Sequence, residues 1–277
     1  MKRSTPAAGR HVKWNAAGYA ANSVVQQSWA REMIDRLTLL GDERILDVGC
    51  GDGKITAEIA QAVPRGFVTG TDVSVEMITF AQKNFPQPQH PNLRFEVCDA
   101  LQLSRKLFSP PATVDLVFSN AALHWVDDHQ QFLRAAAQVL HPGGRLVVSC
   151  GGKGNAHDVF LSLRPEMRMP RWREFFRRMP MPYFFHAPAD YEQWLTQNGF
   201  KCREIKLAPA DATYAGPEGF AAWLRTTWIP YVQRVPEALR EEFIAAVTRR
   251  YLAKHPPDNQ GRIHVRMVRL EIDALKI

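Results

Sequence analysis

A chain of 277 residues with 45% hydrophobic content is long enough to bury one large core or two modest ones, and its formal charge of +7 bears on partners and solubility, not on fold. The four cysteines, Cys50, Cys98, Cys150 and Cys202, stand at no metal-ligand or disulfide-framework spacing, so no metal is expected and a reducing, cytoplasmic setting fits. The basic N-terminus lacks the apolar centre of a signal peptide, and no apolar run is long enough to span a bilayer.

Residues 1–13 read as a loose polar arm carrying Pro6 and Gly9. From Trp14 to Leu40 the pattern is helical, with Val24, Val25, Trp29, Met33, Leu37 and Leu40 on one apolar face. Ile45, Leu46 and Val48 then lead into Gly49, Gly51 and Gly53, and an amphipathic run begins at Lys54. This predicts a strand over 44–48, a glycine turn, and a helix to about Val63 closed by Pro64 and Gly66. Glycine suits such a turn because its backbone angles are costly for residues with a Cβ and because a ligand must come close to the main chain. The unit repeats as a strand over 67–71 ending in Asp72, with Ser74 capping a helix to about Asn84. A third strand over 93–98 ends in Asp99, a fourth spans 114–119, a helix contains 132–140, HPGG stops it, and a fifth strand covers 145–150.

Five strands alternating with helices over about 110 residues argue for a parallel, doubly wound α/β sheet with its ligands at the strand carboxyl ends. Beyond the fifth strand come helical segments around 156–164, 171–178 and 189–197, a sixth strand over 201–207, and helices within 218–254. The final run RIHVRMVRLEIDAL alternates as an edge strand would, which makes seven strands. A single domain over 1–277 is expected, with a cofactor-binding core at about 41–150 and helical insertions at about 151–199 and 216–256 forming a lid.

Two nucleotide ligands compete for the turn: a nicotinamide dinucleotide and S-adenosylmethionine. Asp72 serves a ribose in either case. The GxGxG spacing departs from the dinucleotide fingerprint GxGxxG, and Asp47 and Asp52 would oppose a diphosphate. A carboxylate at Asp99 suits an adenine amino group, while the α-ammonium of adenosylmethionine welcomes acidic neighbours.

The segments ILDVGCGDG (45–53), GTDVSVEM (70–77), CDALQL (98–103), VDLVFSNAALHWVDD (114–128) and VLHPGGRLVVS (139–149) together resemble the class I S-adenosylmethionine-dependent methyltransferases. The resemblance implies a Rossmann-like methyltransferase fold, S-adenosyl-L-methionine as cofactor and S-adenosyl-L-homocysteine as its product. It also implies roles. Asp47, Gly49, Gly51 and Gly53 would hold the methionine part, Asp72 the ribose, and Asp99 with Ala100 the adenine edge. Val73 and Met77 would pack on the ring, and Asn120 and Ala121 would pass near the sulfonium. WNxxxY at 14–19, NAALHW at 120–125 and WLRTTW at 223–228 look most like the group of trans-aconitate, juvenile hormone acid and malonyl-thioester carboxyl methyltransferases.

A carboxylate acceptor is already ionised at neutral pH and the sulfur leaves neutral, so neither a general base nor an acid is needed. His124, Trp125 and Tyr19 are the candidates at the reacting end. Trp14 and Gln26 are further candidates for the acceptor wall, Gln26 also for the cofactor pocket. The acceptor is expected to be a small acid, with no nucleic-acid module indicated. A nicotinamide oxidoreductase, another small-molecule or nucleic-acid methyltransferase, and a binding subunit that keeps the fold without the activity stand as alternatives. Arginines over 164–178 offer a docking face for anions or simply a solvated one, and GGKGN at 151–155 has no assigned role.

Overall fold

A computed structural model describes residues 14, 16, 18, 20, 24–108 and 112–277, the side chains of 24–26 excepted, so Tyr19 and the side chain of Gln26 lie outside the described residues. The chain runs α1 (Val24–Asp35), β1 (Arg44–Val48), α2 (Lys54–Ala62), β2 (Phe67–Asp72), α3 (Val75–Asn84), β3 (Leu93–Val97), β4 (Val114–Asn120), α4 (His129–Val139) and β5 (Leu140–Gly151). It continues as α5 (His157–Met167), α6 (Pro188–Gln197), β6 (Phe200–Ala215), α7 (Gly216–Thr227), α8 (Ile229–Val232), α9 (Arg240–Leu252) and β7 (Arg262–Lys276). Strands pair in the order β3-β2-β1-β4-β5-β7-β6, the first five parallel and β7 antiparallel to both neighbours.

The near-continuous apolar runs of β1 and β4 are explained by helices on both faces of the sheet. On one face Ile45, Ile59, Phe95 and Phe118 pack together; on the other, Leu46, Val117, Phe132 and Leu146 do. Local signals hold where they are chemically explicit: the Ser74 hydroxyl accepts the Met77 N–H at 3.2 Å and starts α3.

The C-terminal run is not the sheet edge. β7 lies between β5 and β6, and β6 is the edge strand, studded with exposed Lys201 and Arg203. The alternation that suggested an edge belongs to residues 262–267, where Ile263, Val265 and Met267 are buried and Arg262, His264 and Arg266 exposed. That half of the β6–β7 hairpin reaches beyond the parallel strands. The second half, Leu270 to Ile272, is buried on both faces. Residues 171–178 also depart from expectation: they form successive turns closed by bonds such as Phe175 N–H to the Trp172 carbonyl, not a regular helix.

A further apolar cluster joins α5, the turns around Trp172 and Phe176, α7, α9 and the outer half of the hairpin. Helix α6 stays with the sheet instead, with Tyr191 and Leu195 buried beside Phe200. The segment expected as one insertion over 151–199 therefore divides, near the bridge of Gly152 with His186, into a part that stands over the strand ends and a part that covers the sheet.

Candidate active site

The turn after β1 is tied down before any ligand is considered. The N–H groups of Gly49 and Cys50 both donate to the Thr71 carbonyl, at 2.7 and 2.9 Å, and the Ser119 hydroxyl donates to the Val48 carbonyl at 2.8 Å. Gly49 has φ 78°, and a Cβ there would lie 2.1 Å from the Ala122 Cβ. Gly53 has φ 80°, and its Cβ would meet the Phe95 ring at 2.7 Å. Packing alone thus requires both glycines. Asp47 lies beneath the turn, 3% exposed, accepting the Thr56 hydroxyl at 2.7 Å. Burial pushes its carboxyl up to about 7, with Thr56 opposing and the charge of Asp72 adding.

Gly49, Gly51, Asp72, Val73, Met77, Asp99 and Ala100 line one wall of a cleft over the strand ends. Asp47 and Gly53 stand behind that wall. Asp72 accepts the Gly51 N–H at 3.1 Å and the Ser74 N–H at 2.9 Å, and burial raises its carboxyl against those bonds. A carboxylate offers about four acceptor positions, so two ribose hydroxyls still find room on it. Val73 is 45% exposed in the same wall, an apolar surface that a planar ring would cover. Asp99 begins the short helical turn Ala100–Gln102 by accepting the Leu101 N–H at 2.9 Å, which turns Ala100 and Leu101 into the cleft.

At the end of β4, Ala121 is held at φ 55° with its N–H on the Ser149 carbonyl at 2.7 Å. A left-handed alanine costs on the order of 1 kcal/mol, and such strain gathers at functional sites. His124 and Trp125 follow in a single helical turn, Leu123–Trp125. The Gly151 N–H donates to His124 Nδ1 at 3.2 Å, so the neutral ring carries its proton on Nε2. Burial lowers His124 to about 4, which keeps the imidazole neutral at physiological pH.

Around it stands an aromatic wall. Trp14 meets Trp125 edge-on at 5.3 Å, Trp125 meets Tyr183 at 4.9 Å, and Tyr183 stacks on Phe185 with 7° between planes. The Tyr183 hydroxyl is committed to the Thr227 carbonyl at 3.0 Å.

The cleft gathers the site residues read from the sequence at the ends of β1, β2, β3 and β4, with Asp47 and Gly53 behind its wall; Gln26 is placed only by its backbone in α1, and Tyr19 lies outside the described residues. Nothing in the sequence places Trp29, Tyr183, Phe185, Trp223, Trp228 and Arg269 on the cleft, yet all six border it. Their spacing along the chain carries no signal. GGKGN acquires a structural role: the Asn155 side chain accepts the Val268 N–H at 3.0 Å and joins the end of β5 to β7.

Residues 46–148 match a family model described as a methyltransferase domain. The chain is a class I S-adenosylmethionine-dependent methyltransferase, with the sheet order, the glycine turn and the two acidic strand ends of that class in one cleft. Within the class it is similar to trans-aconitate 2-methyltransferases: 29% identical to that of Variovorax paradoxus, over 96% of this chain and 99% of the relative. The relative of Methylobacterium nodulans is 26% identical, over 94% and 97%. The fold is shared with the solved YcgJ protein of Bacillus subtilis, at TM-score 0.58 and 18% identity over 90% of this chain and 98% of that one. It is also shared with geranyl diphosphate C-methyltransferase of Streptomyces coelicolor, solved with S-adenosyl-L-homocysteine, at TM-score 0.52 and 16% identity over 94% and 84%. The nicotinamide alternative is not favoured. Among the described residues no helix is long and apolar enough to cross a membrane.

Proposed function

We propose that this methyltransferase acts on a carboxylate oxygen of a small acidic molecule. The observation that carries this is the state of His124: with Nδ1 taken by the Gly151 N–H and the ring neutral, it offers the cleft a donor and not a proton acceptor. An acceptor that arrives already ionised suits such a site. The similarity to enzymes named for trans-aconitate supports the same reading.

When bound, the cofactor supplies a methyl group on a positively charged sulfur that leaves as a neutral thioether. The residues of the chain then position the acceptor. Asp72 would take ribose hydroxyls on its remaining acceptor positions, Val73 and Met77 would pack on the adenine ring, and Asp99 with Ala100 would meet its edge. The Gly49–Gly51 backbone and Asp47 behind it would hold the methionine end, and Asn120 and Ala121 would pass near the sulfonium. His124 Nε2–H holds an acceptor oxygen, while Trp125, Trp14 and Tyr183 exclude water. Such positioning can lower a barrier by roughly 7 kcal/mol or more. The helical segments α5 and α7–α9 serve as a lid over the cleft. Four unpaired thiols support a cytoplasmic setting.

Incubation with isotopically labelled S-adenosylmethionine and a panel of mono-, di- and tricarboxylic acids, trans-aconitate included, tests the proposal. Base-labile label in an ester product, identified by mass spectrometry, is the expected result. Transfer to amines, phenols or carbon nucleophiles with no acid methylated would overturn it.

A further inference from the structure

We propose that Arg269 is the residue that receives a second, non-reacting anionic group of the methyl acceptor. This rests on the carboxylate reading above. Arg269 lies on β7 and borders the cleft, its side chain only 11% exposed. Its Nε and Nη1 atoms are buried with no hydrogen-bond partner among the described residues. Of the five N–H groups of a guanidinium, three sit on those two nitrogens. Leaving buried donors unpaired is unfavourable, and more so where the group is charged.

The same side chain is held firmly by its other contacts. Its Nη2 lies 3.0 Å from Glu271 Oε1 and 3.4 Å from Glu32 Oε2, and its plane lies over the Trp29 ring at 5.1 Å. Glu271 in turn divides its charge with Arg36 at 3.3 Å and Lys206 at 3.8 Å, so it neutralises Arg269 only in part. Two carboxylates and an indole therefore fix the orientation of the guanidinium, and the unpartnered nitrogens are what that orientation leaves over. A preorganised arginine with spare donors in a cleft wall is suited to a carboxylate.

Strand order decides which anion it meets. Across the sheet the sequence of strand ends is Asp72 on β2, the glycine turn on β1, Asn120 on β4, Gly151 on β5 and, in register with Gly151, Arg269 on β7. With strands about 4.8 Å apart, Arg269 stands roughly 14 Å from the β1 turn where the cofactor's own carboxylate belongs. It lies past the β4 end on the side away from the ribose, the side where an acceptor must approach the sulfonium. Nor does the reacting carboxylate suit it. That group becomes a neutral ester, and a guanidinium on its oxygens would hold back the electron pair that attacks. A second carboxylate keeps its charge from encounter to product, so the contact contributes equally to ground and transition states and shows in KM.

The test uses the intact enzyme with trans-aconitate as acceptor probe. Arg269→Gln is expected to raise the acceptor KM by about tenfold or more, as for a lost hydrogen bond to a charged group, with kcat within about threefold of wild type. Arg269→Lys, which keeps the charge and loses the fork, should fall between them. The dissociation constant for S-adenosylhomocysteine, read by calorimetry, should move less than about twofold in both variants. With crotonate, a monocarboxylate, the wild type should already show the weak KM, and Arg269→Gln should add nothing. An unchanged KM for trans-aconitate in Arg269→Gln overturns the proposal, as does a raised dissociation constant for S-adenosylhomocysteine with KM unchanged. Should Arg269→Gln fail to fold, equal KM values for crotonate and trans-aconitate in the wild type would overturn it instead, and a large difference sensitive to Arg269→Lys would support it. Wild-type enzyme that methylates no acid at all marks a failure of the carboxylate reading itself.

Discussion

Asp47→Asn separates the structural from the ligand-binding contribution of the acidic residue under the glycine turn. In the folded protein burial pushes the Asp47 carboxyl up to about 7, from its ordinary 3.8. Between those values the folded state holds the proton more tightly than the unfolded state does. Stability from this group is therefore present below about pH 4, declines as pH rises through about 7, and is level above. The difference between the two values corresponds to roughly 4 kcal/mol as an upper bound. The amide does not ionise and can keep the bond from the Thr56 hydroxyl, so this decline should vanish in the variant. Urea unfolding at pH 4.5, 6 and 8 is expected to show the variant gaining on wild type with rising pH and exceeding it at pH 8 by up to about 4 kcal/mol. Parallel pH profiles, or a variant weaker than wild type at pH 8, would refute the reasoning. The functional counterpart is a proton count. A cationic ligand near Asp47 favours its ionised form, so calorimetry of S-adenosylmethionine binding at pH 6 in two buffers of different ionisation enthalpy should register proton release that Asp47→Asn abolishes.

Asp72→Ala should weaken S-adenosylhomocysteine binding by about 1 to 3 kcal/mol, read as a dissociation constant, and an unchanged constant would count against the ribose assignment. Gly49→Ala combines a left-handed alanine with a methyl 2.1 Å from the Ala122 Cβ, and should destabilise by about 3 kcal/mol in denaturant titration. His124 and His129 are lowered by burial to about 4 and about 3, below their ordinary 6.5. The stability they contribute above pH 6.5 is lost as pH falls toward those values, because the unfolded chain takes up the protons first. His129→Gln should therefore lose less stability than wild type between pH 6.5 and 4, and equal losses would show that His129 titrates freely in the folded state.

The sequence by itself determined the parallel half of the molecule and the cofactor side of its cleft. There, one short segment holds everything the local structure needs: a β-branched run, a glycine that a turn or a neighbour requires, an aspartate at a strand end, a serine that caps the next helix. Asp72 and Asp99 were legible because a strand end in such a sheet has one possible place, the ligand edge. Asp47 was legible as an acidic neighbour of the turn, yet only packing put it beneath the turn and raised its carboxyl.

The acceptor side was decided by tertiary structure alone. The tail's alternation of apolar and polar residues could not reveal that half of it projects beyond the parallel strands while half lies between β5 and β6, since both halves alternate in sequence although burial alternates only in the outer one. Inserting β7 there brings Arg269 beside Gly151 and over Trp29, residues far apart in the chain. The Arg269 nitrogens without a partner among the described residues are those that its contacts with Glu32, Glu271 and Trp29 leave over. Local propensity chooses strands and turns, whereas the placing of a charge against distant neighbours is fixed by the order in which strands enter the sheet.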